Sequence, residues 1–284
     1  MIRSMGNGCR SVVVIDIVIA LNACERETEV ISDWDHSASG LSDAALSSDG
    51  QYAVVSSSTD GASFWNLETN SRLYEWRHDE SLAGQISLIA FATDNSHVIT
   101  AKDETFVVWE TNTGQSIGYW SVDSEINCVT LPDQAKHVLL GLKDGRAIHI
   151  EQQSQRRLEV IAHRNERIRA VGISPDGQLA VTGGTDGRVM VWNTSDGSEV
   201  HALNHDARIT IAQLARSADR VFSADERGGA FIWDLRPGEK LATLALDRGQ
   251  QVITAARFSQ MENIYCWGSL DVTFDYGTAR RAKC

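Results

Sequence analysis

The sequence predicts an all-β protein in which one four-stranded unit is repeated along the chain. Three observations carry this. "TGGTDGRVMVW", Thr182 to Trp192, joins two alternating apolar runs through an Asp-Gly pair, and the glycine of such a pair accepts the positive φ of a tight hairpin turn. Trp192 has counterparts at Trp65, Trp109 and Trp233, with Ile150 and Phe274 in the same place, at steps of 44, 41, 42, 41 and 41 residues. A histidine ladder keeps the same period: His36, His78, His163 and His205 lie 42, 85 and 42 residues apart, the long step being two periods with one histidine missing. A fixed period of this size marks stacked units, none of which can bury its apolar face alone.

Within a unit the elements follow in order. A first strand runs into a turn written "ALSSDG", "AFATDN" or "GISPDG", and a second strand leaves it. The third strand ends at the tryptophan position. The fourth ends near the histidine, two residues after a large apolar side chain: Trp34, Trp76, Ile161 or Leu203.

With these positions in register, residues 30 to 260 resemble WD40 repeats. The resemblance implies a WD40-like β-propeller with one four-stranded blade per repeat. It also implies a buried hydrogen-bonded tetrad in each blade, made of the ladder histidine, a Ser or Thr, the turn Asp and the Trp. His163, Thr182, Asp186 and Trp192 match all four positions. His78, Thr100, Asp103 and Trp109 fit with a one-residue slip, and so do His36, Ser56, Asp60 and Trp65. In the third repeat Asp144 remains while Val122 and Ile150 replace His and Trp. In the fifth, Ser223 and Trp233 remain while Arg227 takes the Asp position.

The C-terminal repeat, "RFSQMENIYCWGSLDVTFDYGTARRAKC", lacks its DG turn. Two closures follow from the resemblance. "TEVISDWDH" reads as an N-terminal strand that completes a composite sixth blade; alternatively the chain is a truncated seven-bladed ring, which the fourth-strand pattern in "DYGTARR" favours.

The 284 residues are 42% apolar with 3 prolines and carry a net charge of −12, a balance that suits a packed β fold and not disorder. No Lys/Arg stripe appears, so nucleic acid is not an expected partner. Residues 1–23 have the layout of a secretory signal, with Arg3 and Arg10 before the apolar run Ser11 to Leu21, a run too short to span a bilayer. "LNAC" resembles a bacterial lipobox, which makes Cys24 the expected lipidation site, residues 24–32 a polar tether and 33–284 the propeller. Asp16 inside the run and Asn22 in the box depart from that pattern. The lipobox implies a lipid anchor in a bacterial envelope, facing the periplasm, with Glu25 leaning towards the outer membrane. A cytoplasmic location stays open as the alternative.

The chemistry-bearing residues point away from catalysis. Eight histidines and five cysteines show no metal-ligand or disulfide spacing, so neither a metal nor any other cofactor is expected. No nucleophile elbow, zinc-protease helix, P-loop or dinucleotide fingerprint occurs. What remains is one rim of loops. By the resemblance, positions beside the turn Asp and after the ladder His meet partners, and they carry Lys102, Lys143, Arg164, Arg167, Thr185 and Arg208. The sequence thus predicts a monomeric, non-enzymatic interaction scaffold for a protein partner. The alternatives are a cytoplasmic adaptor, a ligand-binding or enzymatic propeller using its central channel, and a decaying copy.

Overall fold

The computed structural model describes residues 40–57, 61–78, 85–244 and the strand segments 253–258, 264–268, 272–275 and 280–282. The proposed signal, Cys24, the tether and the N-terminal "TEVISDWDH" strand lie outside the described residues.

Every repeat folds as an antiparallel sheet whose four strands pair in chain order. The first sheet holds β1 (Leu41–Leu46), β2 (Tyr52–Ser57), β3 (Gly61–Asn66) and β4 (Ser71–Trp76). The second holds β5 (Leu88–Phe91), β6 (His97–Lys102), β7 (Thr105–Glu110) and β8 (Ser116–Ser121). The third holds β9 (Ile126–Thr130), β10 (His137–Leu142), β11 (Arg146–Glu151) and β12 (Arg156–Ile161). The fourth holds β13 (Ile168–Ile173), β14 (Leu179–Gly184), β15 (Arg188–Asn193) and β16 (Glu199–Asn204). The fifth holds β17 (Ile209–Leu214), β18 (Arg220–Asp225), β19 (Ala230–Asp234) and β20 (Glu239–Thr243). A last sheet, β21 (Ile253–Phe258), β22 (Ile264–Gly268), β23 (Val272–Asp275) and β24 (Arg280–Ala282), repeats the pattern. The described strands are all-β, a series of four-stranded antiparallel sheets of the kind that the WD40-like resemblance implies as blades.

The chain divides into two compact units, residues 1–121 with the first two sheets and 122–283 with the other four. In the first five sheets the second and third strands are buried on both faces and the fourth is half exposed. That is why "HVLLGL" and "FVVW" read as continuous apolar runs, as strands covered on both sides do. In the first unit Trp76 stacks on Trp109 with centroids 5.2 Å apart, beside Phe64 and Phe91. In the second, Trp233 packs against Val181, Val189, Val191 and Leu203 of the preceding sheet.

The tryptophan period has a backbone consequence. The register between third and fourth strands shifts at Trp65, Trp109, Trp192 and Trp233, and runs unbroken in the third sheet, where Ile150 stands instead. Such a bulge bends the strand and increases its twist. Phe274 pairs with Ile264 as Trp233 pairs with Val221, so it holds the tryptophan register of the last sheet.

One carboxylate staples two sheets of the first unit. Asp43 on β1 accepts the N–H of its neighbour Ala44 at 2.9 Å and that of Ile89 on β5 at 2.8 Å. Burial pushes its carboxyl up to about 6, against the pull of these two N–H donors. A folded-state value above the unfolded one favours folding below the unfolded value, and that contribution is lost as pH rises through the folded one. Wild type should therefore lose stability relative to Asp43→Asn between about pH 4 and pH 6. Urea unfolding of both proteins at pH 4, 5 and 6 checks this; a constant difference would contradict it.

Candidate protein-binding groove

The turns that carry the loop cations are fixed by buried histidines. In the fifth sheet a chain of four side chains is complete. Trp233 Nε1–H donates to Ser223 Oγ at 2.7 Å, and Ser223 Oγ and His205 Nε2 are 2.6 Å apart. His205 Nδ1 lies 2.9 Å from Asp225 Oδ2. A carboxylate only accepts, so Nδ1 carries the proton and Nε2 accepts from the serine hydroxyl. Burial holds the His205 ring below the usual histidine range, opposed by Asp225. The sequence placed Arg227 in the aspartate's position; Asp225, two residues earlier, fills the role. It also accepts the N–H groups of Arg227 and Gly229, each at 2.9 Å, and so ties the turn.

In the fourth sheet His163 Nδ1 is 2.9 and 3.0 Å from the two oxygens of Asp186, and its Nε2 is 3.0 Å from Thr182 Oγ1. Burial raises the Asp186 carboxyl, but His163 and the Arg188 N–H outweigh it and hold it below the usual range. The expected fourth member departs. Trp192 is fully buried and its Nε1 has no hydrogen-bond partner. The indole packs among Leu139, Ala147, Ala162, Ile168, Ala180 and Met190, whose side chains offer no strong acceptor.

The second sheet replaces the aspartate. Trp109 Nε1–H donates to Thr100 Oγ1 at 2.8 Å, which lies 2.8 Å from His78 Nε2, while His78 Nδ1 meets Thr105 Oγ1 at 3.3 Å. Lys102 pairs directly with Thr105, leaving a two-residue loop. That shorter turn is why Thr105, and not Asp103, reaches the ring. Burial, helped by Lys102, pushes His78 down to about 4. In the first sheet Ser56 Oγ turns to the Asp43 backbone and Trp65 donates to Ser63 instead; His36 and Asp60 lie outside the described residues. In the third, where Val122 stands in place of the ladder histidine, Arg146 gathers Asp144, Asp123 and Glu159 at 2.7–2.8 Å.

These turns present a groove of about 570 Å³ in the second unit, lined by Lys143, Asn165, Glu166, Arg167, Arg169, Thr185 and Arg208. Gly145, at φ +87°, lets the loop after β12 close: a Cβ there would collide with the His163 carbonyl, and the His163 N–H donates to Gly145 O at 3.0 Å. Glu166 N–H donates to His163 O at 2.9 Å, and Thr185 N–H to Arg167 O at 2.9 Å. Thr185 Oγ1–H donates to Glu166 Oε2 at 2.7 Å. The His163–Asp186 pair thus sits beneath the loop that carries Arg167.

Of the six rim residues read from the sequence, Lys143, Arg167, Thr185 and Arg208 meet in this groove. Arg164 is exposed on the same loop but does not line it. Lys102 ends β6 in the other unit. Arg169 was missed because it sits on β13, not in a turn; the alternation of "IRAVGI" marks it as outward-facing. A second contact was missed altogether. His137 and His149, twelve residues apart, stack with Nδ1 and Nε2 3.0 Å from each other. Burial first, then His137, pushes His149 down to about 4. Among the described residues no three His, Cys, Asp or Glu side chains converge on one point as metal ligands would.

The family model for the "WD domain, G-beta repeat" matches residues 154–193. Residues 154–193 form a WD40 repeat. The matched segment runs from just before β12 to the end of β15, so the WD40 sequence repeat takes the last strand of one sheet and the first three of the next. Related proteins agree. The chain is 35% identical over 81 residues to "Small ribosomal subunit protein RACK1" of Schizosaccharomyces pombe, covering 28% of this chain and 25% of that protein. It is 26% identical over 161 residues to "WD repeat and FYVE domain-containing protein 2" of Caenorhabditis briggsae, covering 54% and 37%. It is 23% identical over 207 residues to "WD repeat-containing protein 1" of Xenopus tropicalis, covering 69% and 34%. The chain therefore spans less than two fifths of the length of each of these relatives.

Proposed function

We propose that this WD40 chain is a non-enzymatic scaffold that receives a protein partner in the basic groove of the third to fifth sheets. The observation that carries the reading is the convergence there of Lys143, Arg167, Arg169 and Arg208 on a chain whose net charge is −12. A local positive groove on an acidic molecule steers association and selects partners. The groove offers hydrogen-bond donors and positive charge, which suit recognition of a partner surface. Reversal by Arg167→Glu with Arg208→Glu should weaken partner capture about tenfold or more with little change in thermal midpoint, since exposed charges contribute little to stability. Capture that survives the double reversal would move the docking surface elsewhere.

The finer reading is a lipid anchor at Cys24 in a bacterial envelope, facing the periplasm. It is supported by the charge, apolar run and "LNAC" of residues 1–24, and the several acyl chains of such an anchor would bind a membrane stably. The three relatives are eukaryotic, which favours a cytoplasmic adaptor as the second reading. Radiolabelled palmitate on wild type and not on Cys24→Ser is the result the anchor requires; unlabelled wild type in the cytosol decides for the adaptor.

A further inference from the structure

Arg169 on β13 and Arg208 just before β17 converge on a single carboxylate oxygen. Each guanidinium Nη1 lies 4.0 Å from Glu226 Oε2. Glu226 is held in place by its backbone, whose N–H donates to Arg208 O at 3.0 Å. Lys143 is paired with Glu125, and Glu166 is engaged by Thr185. Arg167 is exposed, with no carboxylate at ion-pair distance among the described residues. The groove therefore already takes carboxylates as ligands, and the chain supplies them itself.

We propose that the groove binds an acidic peptide segment and that Glu226 is a built-in competitor, displaced from Arg169 and Arg208 when the segment docks. The proposal rests on the groove being the docking site. Glu226 can be displaced because the pairing is loose. At 4.0 Å the ions are beyond hydrogen-bond distance, and such exposed pairs are weak. A lone carboxylate gains no more from these arginines than Glu226 already gives them. A segment with several acidic side chains can replace Glu226 and also reach Arg167, so the competitor selects for clustered negative charge. Selection by a repulsive or competing group is a common route to specificity. Four cations in one groove, broken by Glu166, do not form the stripe that tracks a phosphate backbone.

The test uses the full chain and fluorescence anisotropy of fluorescein-labelled hexaglutamate, with hexalysine and an oligothymidylate as comparisons. Hexaglutamate should bind, and its affinity should fall as salt rises. Glu226→Gln should tighten binding about 3- to 10-fold, and Arg167→Glu with Arg208→Glu should weaken it about tenfold or more. Circular dichroism of each variant shows that it is folded. Unchanged or weaker binding by Glu226→Gln overturns the competitor. Failure of hexaglutamate to bind both wild type and Glu226→Gln overturns the acidic segment; partner capture that still responds to the arginine reversal would leave the docking site standing. Tighter binding of oligothymidylate than of hexaglutamate overturns the peptide in favour of nucleic acid.

Discussion

Asp225→Ala should destabilise the protein by about 3–5 kcal/mol, more than Asp186→Ala at about 1–3 kcal/mol. Asp225 is 3% exposed and accepts from His205 Nδ1, Arg227 N–H and Gly229 N–H. Removing it leaves three donors without their acceptor, in a site that water reaches poorly. Asp186 accepts from His163 and from Arg188 N–H at 3.0 Å, but it lies at the edge of solvent, and water can replace part of what is lost. The motif match in the sequence ranks the two the other way, with Asp186 in place and Asp225 unrecognised. Chemical denaturation of both variants settles the order; equal losses, or a larger loss at Asp186, would contradict the geometry.

Trp192→Ala should cost about 3–5 kcal/mol, the range for emptying a buried aromatic site. The side chain is fully enclosed between the third and fourth sheets, and the apolar residues around it cannot fill an indole-sized space without moving strands. Trp192→Phe separates packing from hydrogen bonding. Because Trp192 Nε1 has no partner, losing it removes a desolvated donor and costs no bond. Trp233→Phe instead strands Ser223, which accepts the indole N–H. Trp192→Phe should therefore be milder than Trp233→Phe by about 1 kcal/mol. The reverse order in thermal unfolding would show that Trp192 does complete a tetrad.

The repeat was legible because it is written in backbone-determining residues. Trp192 and its counterparts recur at the period, and four of them set a strand bulge. The DG turns need their glycines, as Gly145 shows. Phe274 was recognisable as a tryptophan stand-in from spacing alone, and the register bears out its place. Exchange of roles between nearby residues was not legible. Asp225 replaces position 227 because it stands where Gly184 stands in the fourth sheet, a place from which a side chain meets the ring directly, and Thr105 replaces Asp103 because the second sheet's turn is one residue shorter. Rotamer choice was also hidden: Trp192 has the same spacing from Thr182 as Trp233 has from Ser223, yet only one indole makes the bond. His137 and His149 meet through hairpin register, since Leu139 opposes His149 and His137 lies diagonally from it. Most of the groove could be read from its turn cations; Arg169, on a strand, needed the structure to place it.

Photo-crosslinking in living cells tests the account's central claim, that a partner docks in the basic groove. A photoreactive amino acid is placed at Thr185, which lines the groove, and in a second strain at Asp196, in the turn at the opposite end of β15. The account predicts a dominant crosslinked partner from position 185, lost when Arg167→Glu and Arg208→Glu are combined with it, and none from position 196. A partner captured from position 196 alone, or one captured from 185 that the double reversal leaves untouched, would contradict it.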